Sequence, residues 1–216
     1  MLAPFRIEIP LLAPVILPAI CPTLDVLLAE GARRRAQDWE ATPDLPLQWD
    51  DEAGVFVASQ AIFLDLPERA LSAGEYTHAT NLKGLELDCI SDPRKTIQTT
   101  GGPTAPKFTS YQAIKAAAVV FYGVGHAGSV VQLLSYLGGI GVSRPSGMGE
   151  WSIEDLIIGE SEAYREKAMM RSVSRSHARP EALPYTPIKT HRRLVPWAED
   201  DVEAYAPPRL LKEKRP

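Results

Sequence analysis

Residues 121–151 read FYGVGHAGSVVQLLSYLGGIGVSRPSGMGEW, and the order of elements turns on them. Val130, Leu133, Leu134 and Leu137 recur at the i, i+3, i+4, i+7 spacing of a helix with one apolar face. Gly138-Gly139 can end that helix, because glycine accepts the left-handed cap conformation. The loop from Gly141 to Gly149 follows, and Trp151 to Ile158 reads as a strand. Glycine lets a ligand come close to the backbone, and successive exposed N–H groups can cradle a phosphate. Arg144 and the hydroxyls of Ser143 and Ser146 would add charge and donors. The plainer reading is a flexible turn behind a helix. Two phosphate loops are excluded. A P-loop needs Lys then Ser or Thr after its second glycine, and none is here. A dinucleotide loop runs from strand to helix, the reverse of this order.

Moving toward the N-terminus, Ile114 to Tyr122 is apolar enough for a buried strand. Asp88 to Ser110, with Pro93, Gly101-Gly102-Pro103 and Pro106, reads as a long irregular stretch, and loops of that length are usually functional or disordered. Asn81 to Leu87 and Val55 to Leu66 read as strands, and the acidic stretch from Trp39 to Gly54 as a loop. Thr23 suits a helix N-cap, Asp25 suits the positive helix end, and Leu24, Leu27 and Leu28 share one face of a helix running to about Asp38. Phe5 to Ile9 alternates with period two, as a strand does. The order strand, helix, strand, strand, helix, strand is the ferredoxin-like (RRM-like) βαββαβ pattern, an α+β domain over residues 1–160. It carries a long insertion, about 88–110, before the third strand. Beyond it, residues 161–216 form a C-terminal extension. Glu162 to Arg175 reads as a polar helix and the Pro-rich, basic remainder as irregular extended chain.

Composition sets the class. The chain is 45% hydrophobic and 23% charged, ordinary for a globular protein with a core. Two cysteines, Cys21 and Cys89, are too few for a disulfide framework or a four-cysteine zinc site, and a reducing, cytoplasmic compartment is the default reading. Ile9 to Cys21 is apolar, but Pro10, Pro14 and Pro18 interrupt it, which weighs against a signal peptide. No apolar run reaches the length of a membrane span.

Net charge is −4, yet its distribution is uneven. Residues 1–70 hold 5 basic and 11 acidic groups, a net of −6. From Pro93 through Gly149 there is no Asp or Glu, while Arg94, Lys95, Lys107, Lys115 and Arg144 are present. From Lys167 to Arg193, seven basic residues face the single Glu181. Arg171, Arg175 and Arg179 recur every four residues, and Lys189, Arg192 and Arg193 follow. A polarised surface of this kind suits a polyanion, because local potential matters more than net charge. Solvated basic faces and a solvated tail are the alternative.

With these features in hand, the chain resembles the RAMP superfamily of CRISPR-associated proteins. The resemblance rests on residues 121–151 and on PTLDVLLAE, residues 22–30. It is most similar to the guide-capping subunit of type IV effector complexes. The resemblance implies a non-catalytic subunit without a cofactor. It would bind the 5′ handle of the CRISPR RNA and cap a filament of backbone subunits beside a large subunit. Target DNA, an accessory helicase and no membrane complete the implied partners. It also implies that 88–110 is a thumb folding over the guide. Its RNA contacts would be Arg94, Lys95, Lys107, Gly139, Gly141, Ser143, Arg144, Ser146, Gly147, Gly149, Arg171, Arg175, Arg179, Lys189, Arg192 and Arg193. The commoner family loop has a basic residue after the Ile-Gly pair. This chain has Val142-Ser143 there and delays its arginine to Arg144.

Phe108, Tyr111 and Tyr122 are candidates for stacking on bases, or simply core residues. Lys83-Gly84-Leu85-Glu86-Leu87 has no ring where an RNA-recognition motif needs one, so reading through the sheet face is not expected. Two other functions stay open. One is a metal-independent endoribonuclease with His126, at the start of the second helix, as general acid or base. The other is a structural protein-interaction subunit without nucleic-acid contact. No His, Cys or Asp cluster has metal-ligand spacing, and no Gly-x-Ser-x-Gly elbow occurs.

Overall fold

The computed structural model describes residues 2–18, 21–40, 42–65, 74–80, 107–142, 147–174, 184–191, 201–208 and 210–213. The fold is α+β. In chain order its elements begin with β1 (Ala3–Pro10), α1 (Leu24–Ala36), β2 (Trp49–Asp50), β3 (Val55–Phe56), β4 (Ile62–Leu64), β5 (Gly74–Thr80) and β6 (Lys107–Ala113). They continue with β7 (Ala118–Gly125), α2 (Ala127–Leu134), β8 (Ile157–Glu160), a 3-10 turn (Glu162–Tyr164) and α3 (Arg165–Ala168). The chain then adds β9 (Val173–Ser174), β10 (Thr186–His191), β11 (Asp201–Ala206) and β12 (Leu211–Glu213).

The main sheet has five strands in the order β12-β4-β7-β1-β8. Strand β1 pairs antiparallel with β7 from Ala3 opposite Gly125 to Pro10 opposite Ala118. Strand β4 is antiparallel to β7, β8 is antiparallel to β1, and β12 is parallel to β4. Side chains alternate across a strand, so Phe5, Ile7 and Ile9 share a face with Val119 and Phe121. That face packs on α1 and α2 in one core with Leu24, Leu27, Leu28, Val130, Leu133 and Leu134. Gly31 lets the helices touch, because a Cβ there would overlap the Leu133 carbonyl. The opposite face holds Ile62, Leu64, Val120, Tyr122 and Val124 under Ala168 and Met169.

Several expected boundaries moved, two of them at an identifiable side chain. The strand expected over 55–66 is broken between β3 and β4. There the Ser59 hydroxyl accepts the Tyr122 N–H at 2.9 Å, replacing a ladder carbonyl. Thr23 holds the N-cap position of α1 with extended backbone, but its side chain makes no capping bond. The strand expected at 151–158 begins only at Ile157, because Trp151 turns inward and its indole N–H donates to the Leu137 carbonyl at 2.8 Å. The expected strand 114–122 begins at Ala118 and runs to Gly125. Within the stretch expected to be irregular, residues 107–110 belong to β6, which pairs with β5 as a two-stranded ribbon between β4 and β7. The expected strand 81–87 and the rest of that stretch, 88–106, lie outside the described residues.

The described residues of the C-terminal extension include strands where irregular chain was expected. The polar helix stops at Ala168 rather than continuing to residue 175. Strands β10, β11 and β9 form a separate sheet, and β12 joins the main one. No described helix is long and apolar enough to cross a membrane.

Candidate nucleic-acid interface

The glycine loop folds back on itself. Beyond α2, the Trp151 N–H donates to the Gly138 carbonyl, Gly139 bridges Glu150, and the Ile140 N–H donates to Gly149 at 2.9 Å. The loop then closes on the connection between β1 and α1. The Gly149 N–H donates to Pro14 at 2.8 Å and the Val142 N–H to Ile16 at 2.9 Å. Gly141 and Gly149 have φ of +92° and +68°, and a Cβ on either would overlap a carbonyl of the chain itself. Gly139 is likewise pressed against Gly149. These three glycines therefore serve the approach of backbone to backbone on their Cα side. Gly149 also spends its N–H on Pro14, so that expected contact is not free to cradle a phosphate. Gly147, with φ +78°, has open space around it and keeps the capacity to admit a ligand. Ser143, Arg144 and Ser146 lie outside the described residues.

Ile16, Ala113 and Met148 form one small buried cluster. Ala113 ends β6, Met148 belongs to the glycine loop, and Ile16 lies in the β1–α1 connection. The root of the inserted ribbon and the glycine loop therefore meet. Lys107 stands at the far end of β6, six residues away, or about 20 Å at strand rise. Lys115, just past the root, is exposed, a cation outside the expected RNA contacts. Arg94 and Lys95 lie outside the described residues.

Arg171 is the clearest correction. It is 0% exposed and pairs at 3.1 Å with Asp25, also 0% exposed. Its Nη1 donates to the Phe56 carbonyl at 2.9 Å. A guanidinium so enclosed holds the C-terminal segment to the start of α1 and has no surface to offer RNA. The four-residue arginine spacing does not describe one helical face, since the helix ends before Arg171. Lys189 sits in β10 opposite Glu203, and Arg175, Arg179, Arg192 and Arg193 lie outside the described residues.

The second sheet face is also occupied. Tyr122 is buried, and its hydroxyl donates to Glu213 at 2.7 Å. Lys167 donates to Glu213 at 2.7 Å and lies 5.0 Å from the Tyr122 ring centre. Burial opposes the Glu213 carboxylate, but the hydrogen bonds of Lys167 and Tyr122 outweigh it and hold its pKa below the usual range. Burial and the Glu213 carboxylate push the Tyr122 phenol upward. Burial opposes the Lys167 ammonium, yet Glu213 raises its pKa. Tyr122 is thus a core residue and is not available for stacking. Phe108 and Tyr111 lie in β6.

A cleft of about 350 Å³ opens on the opposite side, between α2, the end of α1 and residues 44–47. Arg35, Asp44, His126, Ser129 and Gln132 supply its polar wall. His126 precedes α2, is exposed, and uses its backbone N–H on the Pro46 carbonyl at 3.0 Å. Among the described residues no three His, Cys, Asp or Glu side chains gather to hold a metal. In comparisons with known proteins, no family model and no curated protein matches the chain.

Proposed function

We propose that this chain is a cytoplasmic, non-catalytic guide-RNA-binding subunit of a CRISPR ribonucleoprotein of type IV kind, built on a ferredoxin-like domain. It would hold the 5′ handle of the CRISPR RNA and cap a filament of backbone subunits. The sequence of elements β1, α1, β4, β7, α2, β8 supports the fold reading, as does the antiparallel order β4-β7-β1-β8 with both helices on one face. A ribbon inserted between β4 and β7 stands where a thumb would rise.

The observation that carries the functional reading is the cluster of Ile16, Ala113 and Met148. It joins the root of the inserted ribbon, next to the exposed Lys115, to the glycine loop at Met148. The two segments that meet there are the acid-free ones that carry Arg94, Lys95, Lys107 and Arg144 in the sequence, which supports a shared role on one phosphate backbone. Such binding releases counterions and weakens steeply with salt. Lys115 joins this group. Arg171 leaves it, as does the backbone N–H of Gly149.

The test is RNA binding by purified protein at graded salt. Combined charge reversal at Arg94, Lys95, Lys115 and Arg144 should lower affinity and flatten the salt slope. Unchanged guide association in that variant refutes the proposal. A second reading, metal-independent cleavage of repeat RNA, is favoured by the exposed position of His126 in a cleft that Arg35 also lines. Incubation of repeat RNA in EDTA with wild-type protein and with His126→Ala separates the two readings. Specific cleavage lost in the variant supports the enzyme.

A further inference from the structure

Strand β8 forms one edge of the main sheet, and among the described residues β1 is its sole hydrogen-bonded neighbour. Its outer row of N–H and C=O groups is a template for another strand. Proteins blunt such edges with charge, Pro, bulges or shortness; β8 is short, four residues, and ends in Glu160, but its centre, Ile157-Ile158-Gly159, has no charge and no proline.

Both sides of this edge are aliphatic. Ile158 lies opposite the buried Ile7 and so shares the helix-covered face, yet it is 42% exposed. Ile157 lies opposite Glu8 on the other face and is 56% exposed. Neither layer covers the two isoleucines, although Tyr164 of the 3-10 turn reaches Gly159 between them and Glu160. An added strand would place alternate side chains beside both isoleucines.

The rim is mainly acidic. From Trp151 to Glu162 the chain carries Glu154, Asp155, Glu160 and Glu162 and no Lys or Arg, and among the described residues only Glu162 is answered by a cation, Arg165 at 3.0 Å. All four acids are exposed. This potential repels a nucleic-acid backbone and attracts a cationic segment.

We infer that β8 is a docking edge for an extended segment of a partner protein, aliphatic at its centre and flanked by Lys or Arg, which adds to the sheet as a further strand. The main-chain pairing supplies a generic grip, the isoleucines select aliphatic side chains, and the acidic rim selects basic flanks. The inference does not rest on the RNA reading. It concerns another edge and a peptide, so either can fail alone.

The experiment uses the full chain and a fluorescent ten-residue peptide with a Val/Ile/Thr centre and Lys/Arg flanks. Anisotropy titration should give saturable binding. The same peptide N-methylated at alternate central residues keeps its charge and side chains but cannot pair, and should bind at least tenfold more weakly. A peptide with Glu flanks should also lose at least tenfold. Ile157→Lys, at the more exposed position, should weaken binding severalfold while its thermal midpoint stays at the wild-type value. Hydrogen exchange should slow in β8 when peptide is added. Absence of saturable binding up to about 1 mM, a range that covers weak complexes, overturns the inference. Equal affinity for the N-methylated peptide also overturns it, because attraction by charge alone would explain the result.

Discussion

Replacing Arg171 with alanine should unfold this protein at a markedly lower denaturant concentration, although no surface changes. Arg171 and Asp25 are both wholly buried, 3.1 Å apart. Arg171 also supplies a hydrogen bond to Phe56. Arg171→Ala leaves the Asp25 carboxylate in the interior without its counter-charge, a loss of about 3–5 kcal/mol for such pairs. The first turn of α1 offsets part of this through its partial positive charge, worth up to about 2 kcal/mol in partly buried geometries. At this chain length each kcal/mol shifts the thermal midpoint by about 2–4 °C, so the about 1–5 kcal/mol left after that offset corresponds to a fall of roughly 2–20 °C. Asp25→Ala should cost a similar amount. The double variant Asp25→Leu/Arg171→Met removes both charges. It should lie within about 1–2 kcal/mol of wild type, the residue being the Phe56 carbonyl left without its donor. Urea unfolding followed by tryptophan fluorescence, with unchanged slopes, gives the cycle. If the single losses simply add in the double variant, or Arg171→Ala unfolds at the wild-type midpoint, the pair does not hold the segment as argued.

Four further outcomes follow from the same geometry. Gly149→Ala, at φ +68° against the Ile140 carbonyl, should destabilise by more than the ~1 kcal/mol lower bound for left-handed strain, whereas Gly147→Ala should keep only the strain part; thermal melts compare them. Trp151→Phe removes the indole bond to Leu137 and should cost about 1–3 kcal/mol through the unpaired buried carbonyl, read by urea unfolding. Glu213 has a lowered folded pKa, so its contribution is present above the unfolded value of 4.5 and is lost as pH falls through the folded one. Lys167 has a raised pKa, so its contribution is complete below 10.5 and lost as pH rises through the higher folded value. Stability against pH for Glu213→Gln should therefore flatten at both limbs. Arg171→Met, assayed below its melting point, should bind RNA as wild type does, while charge reversal at Lys115 should weaken binding in a filter assay.

Periodicity made the centre of the fold legible. Phe5, Ile7 and Ile9 repeat every two residues, and Leu24, Leu27 and Leu28 and then Val130, Leu133 and Leu134 repeat as helices do; all of them are buried as that pattern requires. The boundaries were less legible because single side chains set them. The Ser59 hydroxyl interrupts one strand, and the inward turn of Trp151 delays another. The tail was illegible for a different reason. Strand β12 is fixed by β4, about 150 residues earlier, and no local pattern encodes a pairing so distant. The glycines at 139, 141 and 149 announced close approach, but glycine does not say what comes close. Charge periodicity misled at Arg171, where the apolar neighbours Met169, Met170 and Val173 were the signal that the chain had turned inward.

The pairing of Asp25 with Arg171 also bears on how the protein is made. A ribosome adding about 5–20 residues per second delivers Arg171 roughly 7–30 s after Asp25, because 171 − 25 = 146 residues separate them. Throughout that interval the nascent helix carries a carboxylate destined for the interior with no cation to neutralise it. Early collapse is thereby discouraged at that one spot, and closure of the domain waits for the segment that follows α3.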